Sequence, residues 1–142
     1  MGDKAKALTW IKYAENDMGI ASHLYETYHP LPENAICWHC QQSVEKSYKA
    51  IMAYHGVEIP KTHDIGLLQT STVKYEPDVK LNEKIVSKIT VFATESRYPD
   101  NVIDFTKEDA EFGLKYTRQI LDQVKTALNI TKEETPTTGI IV

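Results

Sequence analysis

Apolar residues recur along this chain at helical spacing. From the N-terminus they fall at Ala7, Ile11, Ala14, Met18, Ala21, Tyr25 and Tyr28. The steps alternate between four and three residues, which places all of them on one face of an α-helix and excludes the alternation of a strand. Leu8 and Leu24 widen the stripe into a core-facing surface. Pro30 and Pro32 end this first helix, expected from Ala5 to Tyr28. A second is expected from Pro32-Glu33 to His55, with residues suited to a first turn and Gly56 as C-terminal cap. Its stripe is Cys37, Gln41, Val44, Tyr48 and Ile51, flanked by Cys40 and Ser47. Glu45 and Lys49 are expected as an i,i+4 pair on its outer side.

Thr62 reads as the N-cap of a short helical turn through Asp64, Ile65, Leu67 and Leu68. A third long helix is expected from Pro77-Asp78, with Leu81, Ile85, Ile89 and Phe92 on one face and Lys80, Lys84 and Lys88 on another. It loses its register at Arg97-Tyr98-Pro99-Asp100, because proline disfavours helical backbone in the preceding residue. The last helix opens with Thr106-Lys107-Glu108-Asp109, a capping box with Asp in the usual Glu or Gln position. Ala110, Leu114, Thr117, Leu121, Val124 and Leu128 form its stripe. Together these elements predict an all-α protein: an up-down four-helix bundle with a short extra helical turn between helices two and three. The bundle is expected over residues 1–128 and a flexible tail over 129–142. No strand pattern, internal repeat or Gly-rich phosphate loop is present, which removes Rossmann, P-loop and hydrolase-elbow readings.

Composition adds limits. The chain has 142 residues, 42% of them apolar, enough for one domain with one complete core. A net charge of -4 argues against a broad nucleic-acid coat, although not against a local basic patch. Arg97 and Arg118 are the only arginines, which weighs against dense bidentate phosphate recognition. Two cysteines make no disulfide scaffold, the opening residues show no secretory leader, and no run approaches the roughly 20 apolar residues of a membrane helix. A soluble, cytoplasmic location is the resulting expectation.

Several residues are candidates for chemistry. Cys37-Trp38-His39-Cys40 has the spacing of a redox dithiol or half a zinc site. No preceding strand supports the first, however, and no second ligand pair supports the second, so core packing is favoured. No metal site and no cofactor are expected. Among five histidines, His63 stands out because it lies in a connecting segment at the start of a helical turn, placed to cap or to contact an anion. Lys80, Lys84 and Lys88 read as a solvated face or a phosphate-binding one, and Lys46 and Lys49 near Gln41 and Gln42 are similar. Arg97-Tyr98-Pro99, at a helix break, is either a recognition corner or a Tyr packed under a turn.

The motifs that remain carry a resemblance. Gln41-Gln42-Ser43-Val44-Glu45-Lys46-Ser47-Tyr48-Lys49-Ala50 resembles the QQ-x-V-E-K-x-x-K-A signature of HEPN domain proteins. Pro60-Lys61-Thr62-His63-Asp64 with Leu67 and Leu68 resembles the family's P-x-T-H-D-L segment, and Arg97-Tyr98-Pro99-Asp100 its R-Y-P-D corner. Trp10, Ala14, Asp17 and Ala21 fit its opening pattern, so the resemblance spans about residues 8–128. It implies a helical bundle that usually dimerises, nucleotide or RNA binding, and a nucleotidyltransferase partner in a toxin–antitoxin pair. Catalytic members are metal-independent ribonucleases that use R-x4-6-H. Neither arginine here is followed by His within six residues, and His63 is the last histidine. No catalytic residue is therefore assigned, and a non-catalytic binding module is expected. Its ligand-binding candidates are Arg97, Tyr98, His63, Lys46 and Lys49. The alternatives are a degenerate ribonuclease pairing Arg97 with His63, and a purely structural interaction protein. Trp10, Trp38, Tyr54, Phe112, Tyr116 and Ile120 lie off the main stripes. They either fill a wide core or form a subunit contact, and the resemblance favours a homodimer.

Overall fold

A computed structural model describes residues 2–94 and 104–135 of the chain. Among these residues the protein is all-α, with five helices and no strand: α1 (Lys4–Thr27), α2 (Glu33–His55), α3 (Ile65–Thr72), α4 (Glu83–Thr94) and α5 (Lys107–Ala127). None of these helices is long and apolar enough to cross a membrane.

Local signals set most of the boundaries. The side chain of Asp3 accepts the Lys6 N–H and opens α1. Gly56, in the left-handed region at φ 69°, closes α2, where its freedom from a Cβ makes that backbone inexpensive. Thr106 and Asp109 form the reciprocal capping box expected at the start of α5. Two boundaries differ from expectation. Asp64, not Thr62, caps α3 by accepting the Leu67 N–H, while Thr62 Oγ1 accepts the Asp64 N–H in a tight turn just before it. The helix expected from Pro77-Asp78 starts only at Glu83, behind Asn82, whose Oδ1 accepts the Lys84 N–H. Residues 79–82 run outside the helix because the Gln69 side chain binds both the N–H and the C=O of Leu81, at 2.7 and 3.1 Å. Val79 and Leu81 are both buried by this connector. Lys80 consequently lies off α4, and the three-lysine stripe is not one helix face.

α2 is the central element, touching each of the other four helices. It runs antiparallel to α1, as the bonds Asp3 N–H to Ala53 O and Ser43 Oγ–H to Ala14 O show. α5 also lies antiparallel to α1, with Arg118 on Ser22 and Tyr25 on Glu111. At Gly113, α5 comes close to α2: a Cβ there would lie 3.1 Å from Cys40 Sγ. The stripes of α1 and α5 fill the core through Ile11, Ala14, Leu114 and Val124, but Tyr28, expected to end the α1 stripe, lies just past the helix and is exposed. Of the six off-stripe residues, Ile120 is fully buried, and Trp10, Tyr54, Phe112 and Tyr116 pack half-buried against the core.

Past α5 the chain folds back onto α1 as far as Thr135. Ile130 joins the core, and Glu134 pairs with Lys4 at 3.2 Å. The rest of the expected tail, residues 136–142, lies outside the described residues.

Candidate functional site

A helix enclosed on nearly every side must satisfy its polar side chains internally. In α2 this applies to Gln41, Gln42, Glu45 and Lys49, all buried. The pair Glu45–Lys49 therefore does not sit on an outer face. Lys49 Nζ lies 2.7 Å from Glu45 Oε2, and the two side chains are only 9% and 6% exposed. The ammonium also sits over the Trp10 ring of α1, 5.7 Å from its centroid.

The second carboxylate oxygen of Glu45 meets His63. His63 Nδ1 is 2.8 Å from Glu45 Oε1, and since a carboxylate only accepts, the proton is on Nδ1. The backbone of His63 is held as well: Gln41 Nε2 donates to its carbonyl at 2.8 Å, and Gln42 Nε2 donates to Gln41 Oε1 at 2.7 Å. The ring itself is 55% exposed. An exposed imidazole is thus fixed from beneath by four buried side chains.

A second cluster repeats the pattern between α1 and α2. Asp17 Oδ1 is 2.8 Å from His39 Nδ1, and Asp17 Oδ2 is 2.6 Å from Lys46 Nζ. Here the lysine reaches solvent more freely than Lys49 and the histidine less than His63, with His39 24% and Lys46 26% exposed. The structure therefore joins two of the expected ligand residues, His63 and Lys49, through Glu45, and places Lys46 in a separate group on Asp17. Arg97 and Tyr98 lie outside the described residues.

Asp17, His39, Gln41, Gln42 and Glu45 were not among the expected site residues. The available signal was the polar run inside the α2 signature. A polar residue in a helix's buried stripe, such as Gln41 beside Val44 and Tyr48, needs a partner from elsewhere in the fold. That partner is the His63 carbonyl.

Other candidates resolve into structure. Cys37 and Cys40 are free and fully buried. Burial pushes the Cys40 thiol up to about 12 and the Cys37 thiol higher still. Neither thiol will react with a disulfide reagent in the native protein, whereas both will react once denatured; fast native labelling of either would contradict this. Lys88 is engaged by Asp109 at 2.9 Å and lies 4.4 Å above the Phe112 ring. Among the described residues, no group of three His, Cys, Asp or Glu side chains is arranged to hold a metal ion.

Comparison with known proteins places this arrangement. The HEPN domain model matches residues 7–127, and the chain belongs to that family. It is 28% identical over 133 residues to the Methanocaldococcus jannaschii protein named "Putative toxin MJ1304", covering 84% of this chain and 86% of that one. Two solved structures share its fold. The crystal structure of TT1696 from Thermus thermophilus has a TM-score of 0.67 and 22% identity, covering 86% of this chain and 98% of its own. That of ST0689, described as an archaeal HEPN homologue, has a TM-score of 0.62 and 22% identity, covering 90% and 99%.

Proposed function

We propose that this chain is a toxin–antitoxin-type HEPN module that binds the phosphate of a nucleotide or RNA and works with a nucleotidyltransferase partner. The proposal includes a homodimer with the Arg97-Tyr98 corner near the cleft between subunits. The observation that carries the ligand half is the rigid, solvent-facing His63 on the buried Glu45–Lys49 pair. The relative named as a toxin supports the class of system. Arg97 supplies a fixed charge to phosphate and Tyr98 a stacking or hydrogen-bonding face. The R-x4-6-H pair is absent from the sequence, so binding rather than cleavage is the expected activity.

Isothermal titration with nucleotides and short RNA tests this directly. Heat that saturates, and that Arg97→Ala removes, is the expected result. No heat from either ligand overturns the ligand half. One observation favours a second reading: a carboxylate-oriented histidine is also the usual form of a general base. Metal-independent RNA cleavage in EDTA, abolished by Arg97→Ala, would replace the binding module with a ribonuclease.

A further inference from the structure

We propose that Nε2 of His63 is the atom that meets a phosphoryl oxygen, and that Glu45, Lys49 and Gln41 are positioning residues that aim it. This rests on the phosphate-binding reading above and names the contact within it.

The argument starts from an imbalance. His63 is more than half exposed, and an exposed side chain on a connecting segment is ordinarily free to change rotamer. Here both its ring and its main chain are tied to α2. The ring is tied through Nδ1 to Glu45 and the carbonyl through Gln41 Nε2. Glu45 is itself immobilised, since Oε2 takes Lys49 and Oε1 takes both His63 and, at 3.4 Å, Gln41 Nε2. On the other side Asp64, the next residue, turns its carboxylate to the Leu67 N–H and starts α3. Burying four polar side chains stabilises little compared with an apolar core of the same shape, while leaving any one of them unpartnered is costly. What the arrangement achieves is orientation. With Nδ1 committed to a carboxylate, the tautomer is set and Nε2 is the nitrogen left to face solvent.

The charge of Glu45, Lys49 and His63 taken together is compatible with an anion. Glu45 and Lys49 cancel, so the group as a whole is neutral when the ring is neutral and positive when the ring is protonated. It is never negative. Neutral Nε2 accepts from a phosphate hydroxyl, and protonated Nε2 donates to a phosphate oxygen. Lys61, exposed two residues earlier, adds positive charge nearby and offsets Asp64, whose carboxylate stays charged while it caps α3.

Imidazole nitrogen NMR on the full chain, titrated with inorganic phosphate, tests the proposal. In the free protein the neutral His63 ring should carry its proton on Nδ1. Phosphate should shift the Nε2 resonance saturably, and His63→Asn should weaken phosphate binding by about tenfold, the loss of one charge-assisted hydrogen bond. Glu45→Gln, whose amide accepts or donates, should spread the proton over both nitrogens and weaken binding to a similar degree. A neutral ring protonated on Nε2, an Nε2 resonance unmoved by phosphate, or wild-type affinity in His63→Asn would each overturn the proposal. Because His63→Asn alters an exposed side chain, that arm holds whatever Glu45→Gln does to folding. The two readings separate cleanly. A silent Nε2 beside Arg97-dependent nucleotide heat removes this contact alone. A phosphate-responsive Nε2 without any nucleotide or RNA heat removes the broader function and leaves the contact.

Discussion

Lys49→Met will lower the stability of the protein by about 3 kcal/mol, the cost of leaving a buried charge without its partner. Lys49 and Glu45 are both more than nine-tenths buried, so water cannot replace the lost ammonium at Glu45 Oε2. Glu45 keeps its hydrogen bonds from His63 Nδ1 and Gln41 Nε2, at 2.8 and 3.4 Å, which places the expected value at the lower end for such pairs. Replacing both partners, as Glu45→Leu with Lys49→Met, removes the stranded charge and should recover much of the loss. Asp17→Ala is the internal control. Its partners, His39 and Lys46, are about a quarter exposed and can turn to water, so roughly 1 kcal/mol is expected. Urea unfolding of the four proteins decides the matter. A Lys49→Met cost no greater than that of Asp17→Ala would show that the Glu45 pair behaves as an exposed one.

The two clusters bear on how an acidic chain can host the phosphate site proposed for it. Each holds one carboxylate, one lysine and one histidine, with the histidine Nδ1 on one oxygen and the ammonium on the other. Each is therefore neutral or singly positive. The net charge of -4 is a property of the whole surface and does not set the potential at these two points. What distinguishes them is depth. Glu45 is held by a buried lysine and directs an exposed histidine, whereas Asp17 is held by a lysine and a histidine each about a quarter exposed and acts mainly as a clasp between α1 and α2.

How much of this was legible in the sequence follows from how local each cause is. The stripes of α1 and α5, the Gly56 cap and the Thr106 box depend on residues within one or two turns, and the pattern exposes them. The burial of Glu45 and Lys49 depends on α2 being surrounded by four helices, which i,i+4 spacing cannot reveal. Lys46 and Lys49 are one helical turn apart, yet they belong to different carboxylates because Asp17 lies on α1 and Glu45 on α2. The bond from Gln41 to the His63 carbonyl spans 22 residues and has no local signature, although an amide within an apolar stripe signals that some such partner exists. Thr62 and Asp64 are both acceptable caps, and only the tight turn at Thr62 decides for Asp64.

The late start of α4 has the same kind of cause, and it leads to the second large effect. Gln69→Leu is expected to cost about 3 kcal/mol, from two or more polar groups left unpartnered in the interior. Gln69 Oε1 accepts from the Leu81 N–H at 2.7 Å and from the Tyr48 hydroxyl, while its Nε2 donates to the Leu81 carbonyl. Tyr48 is the largest fully buried side chain, and burial pushes its hydroxyl pKa well above the usual tyrosine value, so the group stays a neutral donor. Leucine at position 69 would strand that donor together with both backbone groups of Leu81. Tyr48→Phe removes only the hydroxyl and leaves the Gln69–Leu81 bonds in place, so about 1 kcal/mol is expected. Adding Tyr48→Phe to Gln69→Leu should then raise stability relative to Gln69→Leu alone, because one orphaned donor disappears. Denaturant unfolding measures all three variants, and amide exchange at Leu81 should accelerate in Gln69→Leu but not in Tyr48→Phe. If Gln69→Leu proves no more damaging than Tyr48→Phe, the clamp does not hold residues 79–82 out of α4, and the turn at Pro77-Asp78 alone must delay the helix.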